Sequence, residues 1–170
     1  LLDQRLKPRP SGLANDIGAV EFSLNTVIEN TNSNGPGSLR QLITEAPRDQ
    51  SVELTFAESL DGLTIRLGSQ EINILSSVTL NASNLPNGIT ISGDATGNGR
   101  SSDDSRIFTI YTDSNTTGRL GLKGVTLTGG FAEYGGAIAI ISPDGGTSQA
   151  TLFIENSTFR GNYSTGGTYG

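Results

Sequence analysis

An internal repeat constrains the fold of this chain more than any other feature of its sequence. The segment LGLKGVTLTGG, which starts at Leu120, aligns without a gap with LFIENSTFRGN, which starts at Leu152. Apolar residues and glycines fall at equivalent positions, in the pairs Leu120 and Leu152, Leu122 and Ile154, Leu127 and Phe159, and Gly129 and Gly161. A repeat of about 20–50 residues is typical of a solenoid, whose units bury their apolar faces against one another.

Short strands are predicted throughout residues 51–170. Most of the apolar runs alternate with polar residues, which is the pattern of a half-buried strand. The runs are Val52–Phe56, Thr64–Leu67, Ile72–Ile74, Val78–Leu80, Ile89–Ile91, Ile107–Tyr111, Leu120–Leu122, Val125–Leu127, Ala137–Ile141 and Leu152–Ile154. Runs this short suit one side of a stacked coil better than a strand of an antiparallel sandwich. The predicted fold is all-β, a parallel β-helix (solenoid), with a β-sandwich as the competing architecture.

One helix is predicted, at SLRQLITEA. Ser38 suits the N-cap position, because its hydroxyl can accept a hydrogen bond from a free N–H of the first turn, and Pro47 ends the helix. The apolar stripe of this helix consists of Leu39, Leu42, Ile43 and Ala46. In a mostly β chain such a stripe is best buried against the open end of a stack of sheets. We therefore expect a short N-terminal capping helix.

These features divide the chain into three zones. Residues 1–22 are polar and contain Pro, and they end in a short apolar strand, Ile17–Phe22. Residues 23–50 form a turn-rich linker and the capping helix, and residues 51–170 form the N-terminal coils of the β-helix. Because the chain contains no Met and stops in mid-repeat, we expect a segment of a longer protein whose coils continue.

Composition argues against several classes of function. The formal net charge is −6 and the basic residues are scattered, whereas nucleic-acid binding needs clustered Lys and Arg. His and Cys are absent, which removes the commonest general base, thiolate metal sites and disulfides. No run approaches the roughly 18 apolar residues of a membrane span. We therefore expect no nucleic-acid partner and no membrane span.

The sequence GDATGNGRSSDDSR suggests a metal site. Its oxygen ligands would be Asp94, Asn98, Asp103 and Asp104. Loops that alternate Asp, Asn and Gly can supply the roughly six to eight oxygens that Ca²⁺ prefers, although the spacing departs from the EF-hand pattern. Calcium is the only cofactor that the sequence predicts. The alternative is a solvated loop that protrudes from the coil.

Two further chemistries involve this region. Cleavage of a polysaccharide needs two carboxylates about 5–10 Å apart, for which Asp94 with Asp104, or Asp103 with Asp104, are candidates. The favoured interpretation is charge on a turn. Tyr111, Phe131 and Tyr134 would suit a sugar-binding platform, although packing on the coil is favoured for them.

Two asparagines of the repeat, Asn156 and Asn162, are predicted at coil corners. Asn tolerates a left-handed backbone, and its side-chain amide can stack between neighbouring turns. These residues are therefore interpreted as structural.

Several motifs together resemble a known family. In order they are GPGSLRQLITEA, VELTF, ITISGD, SRIFTI and the pair GVTLTGG…YGGAI and NSTFRGN, which cover roughly residues 26–170. This series is similar to the start of bacterial right-handed parallel β-helix surface proteins, of the polymorphic outer-membrane and adhesin-like type. Residues 1–22, with DQR, PRP and DIGAVE, resemble the closing segment of such units. The resemblance implies a right-handed coil and a chain that joins the end of one unit to the start of the next.

The resulting hypothesis is a non-catalytic structural or adhesive module of a large secreted or cell-surface bacterial protein. Its expected partners are neighbouring copies or adjacent repeat units, assembled head-to-tail into fibres or arrays, and surface carbohydrate. One alternative is the N-terminal part of a polysaccharide-active β-helical lyase or hydrolase. Its active groove would lie mostly outside this segment, and it predicts carboxylates and Lys or Arg in a line on one exposed sheet of downstream coils. The other alternative is a carbohydrate-binding module.

Overall fold

The computed structural model describes residues 24–113, 117–143 and 149–166, so the predicted closing segment 1–22 lies outside the described residues. Within these ranges the chain is mostly β, with one α-helix, α1 (Leu39–Glu45), and one 3-10 turn, Glu58–Leu60. The strands are β1 (Val27–Ile28), β2 (Ser51–Phe56), β3 (Thr64–Arg66), β4 (Ile72–Ile74), β5 (Ser77–Asn81), β6 (Ile89–Ser92), β7 (Phe108–Tyr111), β8 (Arg119–Lys123), β9 (Val125–Thr128), β10 (Phe131–Ala132), β11 (Ile138–Ile141), β12 (Thr151–Glu155), β13 (Thr158–Arg160) and β14 (Tyr163–Ser164).

The strands form three parallel sheets and one short ladder. Sheet 1 has the order β1-β2-β5-β8-β12, sheet 2 the order β3-β6-β9-β13 and sheet 3 the order β4-β7-β11, while β10 pairs with β14. The chain visits sheets 1, 2 and 3 in turn and then returns to sheet 1 beside the strand it has left. We call one such visit a pass. Every ladder between described strands is parallel, which is not the pairing of an antiparallel sandwich.

The register confirms the sequence repeat. The Cα partners across β8 and β12, and across β9 and β13, include Leu120 with Leu152, Leu122 with Ile154, and Leu127 with Phe159. Between these passes, hydrogen-bonded residues lie 32 positions apart, as for the Val125 N–H and the Ser157 hydroxyl. Earlier passes differ in length, since the paired hydroxyls of Ser51 and Ser77 are 26 positions apart. The turns vary in length between passes while the strand register is maintained.

The core lies between the three sheets. Inward-facing columns run through each sheet, and in one column of each sheet the buried members are 0% exposed: Leu54, Leu80 and Leu122 in sheet 1, Ile65, Ile91 and Leu127 in sheet 2, and Ile74 and Ile110 in sheet 3. Full burial of such a side chain stabilises the fold by about 1.5–3 kcal/mol. The stacked columns therefore account for the strict alternation of apolar and polar residues.

The helix forms as the sequence predicts. The Ser38 hydroxyl accepts a hydrogen bond from the Gln41 N–H at 3.3 Å, and the whole apolar stripe is buried. Helix α1 packs against β4, the first strand of sheet 3. Strand β1, which the sequence analysis placed within the linker, pairs with β2 and extends sheet 1. In the described part of the chain, no helix is long and apolar enough to span a membrane.

Arg40 links helix α1 to the first pass by hydrogen bonds. Its guanidinium donates hydrogen bonds to the carbonyls of Leu67, Gln70 and Glu71, at 3.0, 2.6 and 2.7 Å. Burial lowers the pKa of Arg40 from its usual value. The side chain thus binds three carbonyls of the segment between β3 and β4.

The two asparagines occupy turn positions between strands, as expected. Asn156 adopts a left-handed backbone with φ 48°. The Asn162 amide accepts from the Gly130 N–H at 2.9 Å and donates to the Leu127 carbonyl at 3.0 Å. Asn162 therefore joins two successive passes at a turn.

Candidate functional site

The loop between β6 and β7 is the longest described excursion from the sheets, and it contains all four predicted metal ligands. Its two ends meet, because the Ser105 N–H donates to the Gly93 carbonyl at 3.1 Å. Both ends of the loop are also hydrogen-bonded to the next pass. The Gly93 N–H donates to the Thr128 carbonyl at 3.0 Å, and the Phe131 N–H donates to the Ser105 carbonyl at 3.0 Å. A Cβ at Gly93 would lie 2.2 Å from the Ser105 carbonyl oxygen, so this crossing requires glycine.

Asp94 organises the first half of the loop. Its carboxylate accepts hydrogen bonds from the N–H groups of Gly97, at 2.5 Å, and Gly99, at 3.0 Å. Burial alone would raise the pKa of Asp94. The bonds from Gly97 and Gly99 and the positive charge of Arg66, followed by a bond from the Thr96 N–H, outweigh burial and lower this pKa below its usual value.

The other predicted ligands also have partners inside the loop. Asp104 accepts from the N–H groups of Ala95, at 3.1 Å, and Ser101, at 2.8 Å. The Ser101 hydroxyl donates to the Asp103 carboxylate and, at 3.4 Å, to the Asn98 side-chain carbonyl. Among the described residues, no group of three or more His, Cys, Asp and Glu is placed to hold a metal ion. Calcium at Asp94, Asn98, Asp103 and Asp104 stays a prediction.

Aromatic side chains from two passes lie beside this loop. Phe131 and Tyr163 are Cα partners in the β10–β14 ladder. The Arg100 guanidinium carbon lies 4.9 Å from the ring centroid of Tyr163 and 5.9 Å from that of Phe131, within cation–π range. We call Phe131, Tyr163 and Arg100 the aromatic cluster.

The predicted sugar platform is only partly assembled. Phe131 belongs to the aromatic cluster, whereas Tyr111 lies in β7 of sheet 3 and Tyr134 follows β10 with 46% of its surface exposed. Tyr163 was missed by the sequence analysis. Extending the sequence repeat past Gly161 aligns Tyr163 with Phe131, so the repeat itself contained the information that these two residues are neighbours.

A cavity of about 440 Å³ lies between the loop and the aromatic cluster. It is lined by Asp94, Gly99, Arg100, Asp104, Thr128, Gly129, Phe131, Gly161 and Tyr163. Gly129 and Gly161 both have left-handed backbones, with φ 64° and 59°. A Cβ at Gly129 would lie 2.8 Å from the Cβ of Asp94, so glycine at this corner gives the loop room to approach.

Two outward-facing rows of side chains were also not anticipated. In sheet 2 the residues Thr64, Thr90, Thr126 and Thr158 are successive Cα partners and form a threonine row. In sheet 1, Lys123 lies opposite Asn81 and Glu155, and its ammonium is 3.8 Å from the Glu53 carboxylate. Asn81 donates to Glu53 at 3.1 Å. Each row combines residues from strands that are far apart in the sequence. The rows can therefore be recognised only once the strand register of the sheets is known.

A scan of protein families finds no family model that matches this chain, and searches of curated proteins and of solved structures find no match.

Proposed function

We propose that this chain is part of a right-handed parallel β-helix and that it serves as a non-catalytic structural or adhesive module of a large secreted or cell-surface bacterial protein. The observation that carries the proposal is the continuous parallel register of the three sheets through successive passes. Each pass leaves its inward apolar residues to be covered by the next, as in a solenoid. Helix α1 would act as the cap at one end, because it packs on the first strand of sheet 3.

The last described pass exposes inward-facing apolar residues. Among the described residues, the last members of three inward columns are Ile154, Phe159 and Ile140, whose exposed fractions are 46, 40 and 55%. We call these three residues the apolar end. In the proposed assembly a further pass covers the apolar end, either from an adjacent repeat unit or from a neighbouring copy.

Residues 1–22 are the proposed counterpart, on the strength of their resemblance to closing segments. Such a segment would lie against the neighbouring unit and contribute the strand Ile17–Phe22. This arrangement would give head-to-tail fibres or arrays on the outside of the cell.

The polysaccharide-active alternative has one observation in its favour. In sheet 1, Lys123 and Glu155 are Cα partners in one outward-facing row, and the Glu53 carboxylate, from the adjacent row, lies 3.8 Å from the Lys123 ammonium, so two carboxylates and an ammonium share one exposed face. The Glu53 side chain is 50% exposed, whereas the general acid of a glycosidase usually lies in a pocket shielded from water. A solvated row fits the non-catalytic role better. Reducing-sugar release from a panel of polysaccharides, lost in Glu53→Gln, would overturn the non-catalytic proposal.

Concentration-dependent association tests the assembling role. We expect sedimentation velocity of the full chain to show species that grow with concentration, and the double variant Ile154→Lys with Phe159→Lys to stay monomeric. Phe153→Lys is the matched control, because Phe153 is 51% exposed but points away from the inward column. A wild-type chain that remains monomeric at high concentration contradicts this role. Equal loss of association in the Phe153 variant would contradict the assignment of the interface to the apolar end.

A further inference from the structure

The cavity beside the aromatic cluster has the composition of a small-ligand site. At about 440 Å³ it falls within the roughly 300–1,000 Å³ range of such sites. It combines apolar ring surface with a few polar groups that converge on one space. The cavity borders the last described pass, which also carries Ile154 and Phe159 of the apolar end, but neither of these residues lines it.

One wall of the cavity is aromatic. The β10–β14 ladder sets Phe131 and Tyr163 on successive passes, and the Arg100 guanidinium rests over both rings. Its position shows that ring faces, rather than only ring edges, can be approached from the loop. Tyr163 is 49% exposed, so a ligand would bury ring surface that water now contacts.

The cavity lining also contains hydrogen-bond acceptors that the loop holds in place. Asp94 accepts from the N–H groups of Gly97 and Gly99, and Asp104 from those of Ala95 and Ser101, at distances between 2.5 and 3.1 Å. A carboxylate has about four acceptor positions, so each side chain keeps capacity for an external donor. Because the loop already holds these carboxylates in place, binding would require little further ordering.

The cavity is open at one glycine of its lining. A Cβ at Gly161 would meet only the Thr128 hydroxyl, at 3.6 Å, whereas the space beside Gly129 is taken by Asp94. A ring-shaped ligand can therefore lie close to the chain at Gly161.

We propose that this cavity binds a neutral saccharide. A pyranose ring presents an apolar C–H face that suits the rings of Tyr163 and Phe131, and hydroxyls that donate to Asp94 and Asp104. Acidic sugars are disfavoured by the two carboxylates and by the formal net charge of −6. The loop N–H groups partly neutralise the carboxylates, which favours hydroxyl donors over a cation. Arg100 covers the ring faces in the free protein and has to leave them when the sugar stacks.

The test is titration of the full chain, by NMR chemical shift, with neutral hexose and N-acetylhexosamine oligosaccharides, their uronic-acid counterparts, and choline. We expect at least one neutral saccharide to bind, and Tyr163→Ala to weaken it by about tenfold or more. Arg100→Ala should strengthen binding by uncovering the rings. Tyr134→Ala is the matched control, because Tyr134 has a similar exposure to Tyr163 but does not line the cavity.

Absence of binding by every neutral saccharide would overturn the proposal, as would preferential binding of uronic acids or choline. It would also be overturned if Tyr163→Ala bound as tightly as wild type or if Arg100→Ala weakened binding. Tyr163 is half-exposed, so its substitution should leave the ladder intact, which circular dichroism and thermal unfolding would check. If Tyr163→Ala did not fold, the expected gain in Arg100→Ala, a change at an exposed residue, would still decide the question.

Discussion

Leu122 and Ile154 are Cα partners in neighbouring parallel strands, yet Leu122 is 0% exposed and Ile154 is 46% exposed. The two residues hold the same position in successive passes, so the difference comes from coverage alone. Another strand's side chains lie on both sides of Leu122 along its column, whereas Ile154 has a described neighbour on one side only. Coverage by the next pass is therefore what completes the core.

This pair gives a stability prediction. Leu122→Ala should lower the free energy of unfolding by about 2–5 kcal/mol, because it leaves a cavity in a filled column. Ile154→Ala should cost roughly 1 kcal/mol, because about half of that side chain already contacts water. Urea denaturation at low protein concentration, where association is minimal, would measure both values. Equal costs at the two positions would contradict the stacked core.

The Asn162 bridge gives a second prediction. Asn162→Ala removes the acceptor for the Gly130 N–H and the donor to the Leu127 carbonyl, at a cost of about 1–3 kcal/mol. Asn98→Ala is the control, because Asn98 is exposed and its side-chain carbonyl accepts a hydrogen bond from the Ser101 hydroxyl, at 3.4 Å, within the same loop. Amide hydrogen exchange at Gly130 should speed up in the first variant only. An unchanged exchange rate there would show that the bridge does not hold the two passes together.

The dependence of folding stability on pH, at acidic pH, gives a third prediction. The pKa of Asp94 is lowered in the folded chain, because hydrogen bonds and the charge of Arg66 outweigh burial. The stabilisation from Asp94 is therefore fully present above the unfolded-state pKa of about 3.9 and is lost as the pH falls through the lower folded-state value. An NMR titration should find the Asp94 carboxyl titrating below about 3.9, with the Gly97 and Gly99 amides responding at the same pH. A carboxyl that titrates at or above that value would contradict the assignment.

The calcium hypothesis is tested by thermal unfolding with calcium and with a chelator. Because a ligand that binds only the folded state stabilises it, calcium at Asp94, Asn98, Asp103 and Asp104 should raise the Tm. Asp103→Asn should abolish the rise, whereas Asp49→Asn, at an exposed position before β2, should keep it. A Tm that is the same with calcium and with chelator would count against a calcium site in this loop.

Much of the fold could be predicted from residue pattern. The Ser38 cap, the stripe of α1 and the pairing of Leu120 with Leu152 depend on local chemistry or on a direct repeat, and all three are present. Strand β1 was not predicted, because two residues carry too little periodicity and its pairing with β2 depends on tertiary context.

The candidate site was harder to predict for a physical reason. The aromatic cluster brings together Arg100, from a loop of one pass, and Tyr163, from the corner of another, and no local pattern links them. The threonine row likewise depends on strand register between passes of unequal length. In the acidic loop, Asp94 and Asp104 accept hydrogen bonds from N–H groups of their own loop, and a loop of this kind has the same composition as one that ligates an ion, so composition alone does not separate the two roles.

The most direct test of the stacked-pass architecture is disulfide formation between engineered cysteines, since the chain has no Cys of its own. Thr126 and Thr158 are outward-facing Cα partners, so Thr126→Cys with Thr158→Cys would place two Cα atoms about 4.8 Å apart, within the disulfide range. In the control pair, Thr126→Cys with Arg160→Cys, the second cysteine is two residues further along β13. The two Cα atoms would then be about 8 Å apart, beyond the disulfide range. We predict rapid and nearly complete cross-linking of the first pair and little of the second. Equal cross-linking of the two pairs, or cross-linking of the displaced pair alone, would contradict the parallel register on which the proposed β-helix depends.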